Sequence, residues 1–94
     1  MIDAKEARKI AGPTLDEKIE SLGTTIEILA GAKKRKCRTG WDHKEDKDLW
    51  INGGYGQTDE WKLAKKKLES LGYKVSFYYS EGSQFVDMYT VVEW

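Results

Sequence analysis

The sequence has one cysteine, no net charge and no long apolar run, and each of these absences excludes a class of protein. A single cysteine, Cys37, among 94 residues excludes an internal disulfide and fits a reducing compartment. Because Lys+Arg 16 balance Asp+Glu 16, the chain lacks the basic excess of a protein that coats nucleic acid and the acidic excess of a DNA mimic. No apolar run approaches the roughly 20 residues that span a bilayer, and no signal peptide is recognisable. We therefore expect a cytoplasmic protein that does not contact a membrane.

Apolar residues are nevertheless plentiful enough for one core. Hydrophobic residues make up 39% of the chain and aromatic residues 12%, which argues against disorder. The length predicts one domain over residues 1–94. All eleven aromatic residues lie from Trp41 onward. Residues 1–30 carry 4 basic and 6 acidic side chains, residues 31–74 carry 12 basic and 7 acidic, and residues 75–94 carry 3 acidic and none basic. The middle segment is therefore where an anion site is expected.

Capping signals predict two helices in the N-terminal part. Asp3 and Glu6 have capping-box spacing and begin a helix over residues 4–11, which a Gly-Pro pair ends. Thr14 begins a second helix that runs to about residue 30. Gly23 weakens it, and the alternative is a strand over residues 24–29. A stripe of apolar residues on one helical face favours the single helix and would pack on the sheet or on a second copy: Leu15, Ile19, Leu22, Ile26 and Leu29.

The remaining sequence predicts a small sheet and a third helix. Residues 33–39 enter a first strand, and residues 49–51 form a short strand within the irregular stretch 40–57. Thr58 caps a helix whose inner face holds Trp61, Ala64, Leu68 and Leu71. Strand-like composition then returns twice, at residues 73–79 and 84–94, around a turn at residues 80–83. The fold class is α+β: two N-terminal helices and one central helix packed on a small, mainly antiparallel sheet that ends in a β-hairpin.

The basic run, residues 33–38 (KKRKCR), is the strongest candidate for a binding site. In a strand, Lys34, Lys36 and Arg38 lie on one side, where they could hold phosphate groups, arginine through paired donors. The alternative is an edge strand whose charges prevent pairing with another sheet. The lysines of residues 62–67 are predicted to lie on a solvated helix face.

Four aromatic residues fall in or beside the irregular stretch. Such side chains fill a core, stack on a base, or anchor a protein interface. We expect Trp50 and Trp61 to be buried, and Trp41 and Tyr55 to form the surface pair that stacks on a ligand.

Two glycines, one histidine and one cysteine are the remaining candidates for a phosphate, metal or catalytic site. Gly53 and Gly54 would let a phosphate approach backbone amides, or form a flexible turn; neither a P-loop ending nor a βαβ unit accompanies them. His43 stands among acidic residues, but the EF-hand pattern fails at Lys44 and zinc would need more His or Cys. His43 and Cys37 lack an orienting third group. No metal, cofactor or catalytic residue is predicted.

Several short motifs resemble small bacteriophage-encoded proteins. They are residues 4–8 (AKEAR), the helix running into Gly31 and a basic strand, residues 71–75 (LGYKV), and the terminal Trp94. Residues 31–41 are also similar to a basic stretch of a viral nucleotide-sponge family. The resemblance implies a phage protein that acts in the bacterial host cytoplasm against host defence, by sequestering a nucleotide signal or by blocking a host protein.

We therefore predict a non-enzymatic binding protein, homo-oligomeric, that captures a small anionic ligand such as a nucleotide. Its ligand-binding residues would be Lys34, Lys36, Arg38, Trp41, Gly53, Gly54 and Tyr55. The first alternative is an inhibitor that binds a host protein through the 40–57 segment. A nucleic-acid-binding protein is the second alternative, and it would show steep weakening with salt.

Overall fold

The protein has the predicted α+β architecture. A computed structural model describes residues 1–82 and 85–94. In chain order the elements are α1 (Ala4–Ala11), α2 (Leu15–Gly31), β1 (Lys36–Arg38), a π-helical segment (Asp48–Gly53), α3 (Gly54–Gly56), α4 (Asp59–Ser70), β2 (Lys74–Glu81) and β3 (Val86–Glu93). No helix within the described ranges combines the length and apolarity that a membrane crossing requires.

The two N-terminal helices begin where the capping signals predict. Asp3 accepts a hydrogen bond from the Glu6 amide at 2.8 Å, and the capping box at Thr14 is complete. Helix α2 continues through Gly23, so the alternative strand over residues 24–29 is wrong. The helix persists because its apolar stripe packs on the core, with Leu22 and Ile26 buried, and this packing outweighs the glycine penalty of about 1 kcal/mol. Helix α1 buries none of its residues.

The predicted strand at residues 49–51 is also wrong, because these residues are helical. The Leu49 and Trp50 amides both donate to the Asp46 carbonyl at 3.0 Å, which starts the turn. Leu49 and Trp50 are both buried, whereas a strand would point consecutive side chains to opposite faces. The π-helical segment buries both and carries the chain directly into α3.

Helix α4 follows the prediction except at its end. Thr58 caps it by accepting from the Trp61 amide at 3.2 Å, and three of its four predicted inner residues are buried: Trp61, Ala64 and Leu68. The fourth, Leu71, is exposed. It lies beyond the last helical residue, where the chain turns through Gly72 at φ 95°.

The sheet has the order β1-β3-β2 and is antiparallel throughout. The first strand is shorter than predicted because Lys33 adopts a left-handed φ of 64°, which keeps the chain in a turn. The second strand is longer, since residues 80 and 81 belong to β2 rather than to the turn. Ser83 and Gln84, predicted in the turn and at the start of the last strand, lie outside the described residues.

The core lies between the helices and one face of the sheet. Helix α2 contacts β1, helix α4 contacts β2, and the π-helical segment contacts β3. Cys37, Val75 and Val92 point toward these helices in register with one another and are buried. The opposite side, here called the open face, carries the alternate residues of each strand, and no helix packs on it among the described residues: Lys36, Arg38, Lys74, Ser76, Tyr78, Ser80, Asp87, Tyr89, Val91 and Glu93.

Candidate functional site

The basic run ends in an edge strand whose side chains alternate as predicted. Lys36 and Arg38 are exposed on the open face, and Cys37 between them is buried. Within residues 1–82 and 85–94, strand β1 pairs with β3 alone, so it is an edge strand. Both proposed roles of the basic run, an anion site and a charged edge that prevents sheet pairing, fit this position.

The structure brings the three predicted cations together around a shallow groove of ≈ 320 Å³. Lys34, Lys36 and Arg38 line it with Arg35 and Asp42. Asp42 lies 4.0 Å from the Arg38 guanidinium, and it also accepts from the Arg38 amide at 3.0 Å. One of the four cations is thus partly neutralised. Among residues 1–82 and 85–94, the other three make no ion pair within 4.0 Å.

A second groove, of ≈ 290 Å³, adjoins the first and contains an aromatic residue that the sequence reasoning missed. Lys33, Lys34 and Arg35 line it with Trp94, so Lys34 and Arg35 belong to both grooves. The Trp94 amide donates to the Arg35 carbonyl at 3.0 Å, which fixes the C-terminal residue beside the basic run. Pairing of the last strand with the first would have placed Trp94 here, but the sequence does not reveal the strand order.

Trp41 lies at the other end of β1. Its amide is 3.3 Å from the Arg38 carbonyl in the turn that leaves the strand, and its side chain is 61% exposed. The prediction that Trp41 and Tyr55 are surface residues is therefore confirmed, and Trp41 lines neither of the two grooves. Burial of Trp50 and Trp61 is confirmed as well.

The remaining predicted site residues lie on the helix-covered side of the sheet. Gly54 is buried, and a Cβ added there would lie 2.6 Å from a Phe77 ring carbon. Gly53 is buried beside it. Tyr55 is exposed, but it stacks on Tyr79 of β2 with ring centroids 5.5 Å apart. Lys36 and Arg38 point to the opposite face, so the structure does not bring these three residues to the basic run.

The reactive groups of Cys37 and His43 are both turned inward. Burial, with a smaller contribution from Asp42, raises the pKa of Cys37 to about 12, which keeps it a thiol rather than a nucleophilic thiolate. His43 Nδ1 lies 2.8 Å from Thr25 Oγ1 on α2. Burial lowers the pKa of His43, and the nearby carboxylates of Glu45 and Asp46 oppose that shift.

The fold also gathers three potential metal ligands at a place where the sequence predicts no metal site. A ring nitrogen of His43 and carboxylate oxygens of Glu45 and Asp46 lie within 4.8 Å of one another; we call these residues the His43 cluster. The spacing of the three residues matches no metal-binding motif, so the sequence alone does not predict a metal site here. A bend at residue 45 and the left-handed φ of 56° at Asp46 turn the chain back and bring the three side chains together.

No known protein family, curated protein or solved structure matches this chain.

Proposed function

We propose that the protein is a non-enzymatic binding protein that captures a small anionic ligand, preferably a nucleotide, on the basic run. The observation that carries this proposal is the pair of adjoining grooves that share Lys34 and Arg35. Together they present several cations and an aromatic residue, Trp94. Cations hold phosphates, and an aromatic side chain offers a stacking surface for a base.

The dimensions and charge of the surface favour a small ligand over a long polyanion. Each groove is near the lower limit, about 300 Å³, of ordinary small-molecule sites. The acids Asp42 and Glu93 flank the cations, Glu93 as the cross-strand partner of Lys36. These carboxylates interrupt the positive surface, so a long nucleic-acid backbone would meet repulsion beyond the grooves.

A paired set of variants tests the proposal. Isothermal titration of the full chain against linear and cyclic nucleotides should find a binder whose affinity falls at least tenfold in Lys34→Gln/Arg35→Gln. The control Lys62→Gln/Lys66→Gln removes the same charge from exposed positions on α4 and should leave the affinity unchanged. If folded wild-type protein binds no member of the panel, or if both double variants lose affinity equally, the proposal fails.

Base stacking is tested separately, because binding of phosphate groups alone does not require an aromatic residue. Replacement of Trp94 by leucine should weaken nucleotide binding several-fold and leave binding of inorganic triphosphate unchanged. Trp41→Leu, at the other end of β1, is the matched variant. If neither variant distinguishes the nucleotide from triphosphate, the ligand is recognised by charge alone and the nucleotide part of the proposal is lost.

The second candidate function is inhibition of a host protein through the 40–57 segment. The exposed indole of Trp41 favours it, since tryptophan often anchors protein interfaces. This role requires that Trp41→Ala release a partner recovered from bacterial lysate while Lys34→Gln/Arg35→Gln retains it. The reverse pattern would favour a partner held by the basic run. The phage origin and the counter-defence role that the resemblance implies are compatible with both candidate functions.

A further inference from the structure

We propose that the His43 cluster binds a divalent transition-metal ion, with His43, Glu45 and Asp46 as the three protein ligands. Their nearest ligand atoms lie within 4.8 Å of one another. Two ligand atoms at about 2.1 Å from one ion are at most about 4.2 Å apart. The side chains therefore need to close by roughly an ångström, which the exposed Glu45 and the half-buried Asp46 can do by rotation.

The imidazole of His43 supplies the independent observation that points to a ligand. The residue is only 4% exposed, and its Nε2 atom is buried without a hydrogen-bond partner among the described residues. A buried polar atom without a partner is uncommon and costs stability. His43 Nδ1 lies 2.8 Å from Thr25 Oγ1, and when Nδ1 carries the proton and donates to this hydroxyl, Nε2 carries the free lone pair. This is the tautomer that a metal ion requires, and an orienting partner on the other nitrogen is usual for metal-binding histidines.

Helix α2 orients a second ligand in the same way. Ser21 Oγ donates to Glu45 Oε2 at 2.8 Å, and Ser21 lies one helical turn before Thr25. The side-chain amine of Lys18, one turn further toward the start of α2, is paired with Asp48 at 3.4 Å and Glu60 at 3.2 Å. Lys18 thus makes its ion pairs within 4.0 Å with Asp48 and Glu60 rather than with Glu45 or Asp46.

The chemistry of the ligands selects the class of metal. Calcium and magnesium prefer sites made wholly of oxygen atoms, whereas one imidazole with two carboxylates suits zinc and cobalt. Three protein ligands leave at least one position for water. We therefore expect Zn²⁺ and Co²⁺ to bind and Mg²⁺ to compete poorly.

The test uses the full chain stripped with a chelator and titrated with Zn²⁺ against a chromophoric competitor. One equivalent should bind, and Glu45→Gln and Asp46→Asn should each weaken binding at least tenfold. The control Glu20→Gln removes an exposed carboxylate of α2 outside the cluster that makes no ion pair among the described residues, and it should change affinity less than twofold. Circular dichroism verifies that each variant is folded, and the exposed position of Glu45 makes Glu45→Gln the variant least able to disturb the core.

Cobalt provides a second readout of the ligands. Bound Co²⁺ should give a visible absorption band that is changed in position or intensity by His43→Gln and unaffected by Glu20→Gln. The proposal is overturned if the wild-type chain binds no stoichiometric Zn²⁺. It is equally overturned if Glu20→Gln weakens binding as much as the cluster variants do, because that would show attraction by general negative charge.

Discussion

At the scale of single residues, the hydroxyl of Thr90 joins three parts of the core. It donates to the Trp50 carbonyl and accepts from Trp61 Nε1 at 3.0 Å. The Thr90 amide donates to Thr39 Oγ1 at 2.9 Å, and that hydroxyl donates back to the Thr90 carbonyl at 3.1 Å. Every member of this network is buried or backbone, and one threonine thereby joins the Trp61 indole N–H to the Trp50 backbone carbonyl.

Thr90→Val should therefore destabilise the protein although valine has nearly the same shape. The change removes the partner of the buried Trp61 N–H, at about 1–3 kcal/mol, and also removes the bond that Thr90 donates to the Trp50 carbonyl. Urea denaturation followed by tryptophan fluorescence measures the free energy of unfolding. The control Thr24→Val, at an exposed position on α2, should change it by less than about 0.5 kcal/mol. An equally small change for Thr90→Val would show that the network contributes nothing.

Gly54 is required by packing rather than by backbone conformation. An alanine Cβ would lie 2.6 Å from a Phe77 ring carbon and 3.0 Å from Trp61 Nε1, so one of these rings must move. Gly54→Ala should cost about 1–3 kcal/mol. By contrast, Gly23 lies within α2 with nothing within 4 Å of its added Cβ, so Gly23→Ala should stabilise by up to about 1 kcal/mol. Thermal unfolding of the two variants must shift in opposite directions; shifts of one sign would contradict this packing.

The buried imidazole of His43 predicts a loss of stability in mild acid. Its pKa in the folded protein is below the ordinary 6.5 because burial disfavours the charged form, even though Glu45 and Asp46 oppose the shift. The unfolded chain therefore binds the proton more readily, and stability falls as the pH drops below about 6.5 by at most about 1.4 kcal/mol per pH unit. Above that pH, the contribution of His43 to the free energy of unfolding is constant.

Urea denaturation between pH 7.5 and 5.5, with a chelator present, measures this dependence. His43→Gln keeps a side chain that can bond to Thr25 and removes the titration, so its stability should vary less over the same range. The raised pKa of Asp46, caused first by burial, acts with the opposite sign on the dependence of stability on pH. Parallel curves for wild type and His43→Gln would rule out the imidazole as the source.

At the scale of elements, the sequence predicts the helix starts correctly because each start depends on a few neighbouring residues. The caps at Asp3, Thr14 and Thr58 and the stripe of α2 are local, and each element begins where its cap lies. The strand at residues 49–51 was mispredicted because its apolar composition suits a strand or a buried helix equally. Packing against the sheet decides between them, and that information is not local.

Helix α1 forms from local signals alone and contributes little to the core. It has a cap but no buried residue, so we expect a chain beginning at Pro13, with the Thr14 capping box intact, to keep its free energy of unfolding within about 0.5 kcal/mol. Urea denaturation of the shortened chain measures this. A chain beginning at Gly23 instead loses the buried Leu22 and should not fold. A marked loss of stability in the first variant would show that α1 packs on the rest of the protein.

At the scale of the whole molecule, strand order decides which candidate residues meet. The sequence predicted the basic run and its alternation, but the order β1-β3-β2 places Trp94 beside it and leaves Gly54 on the other face. Likewise, the His43 cluster depends on a bend and on contacts with α2, which no spacing rule encodes.

Homo-oligomerisation stays a prediction. Exposed apolar residues at the far end of the hairpin support it: Tyr78, Tyr79, Phe85 and Val86.

The most direct test of the central proposal is an amide-resolved NMR titration of the isotope-labelled full chain with linear and cyclic nucleotides. We predict saturable shifts at the amides of residues 34–38 and at the Trp94 indole N–H, and little change at Gly53, Gly54 and Tyr55. No saturable shift with any nucleotide, or shifts confined to residues 53–55, would contradict capture of an anionic ligand on the basic run.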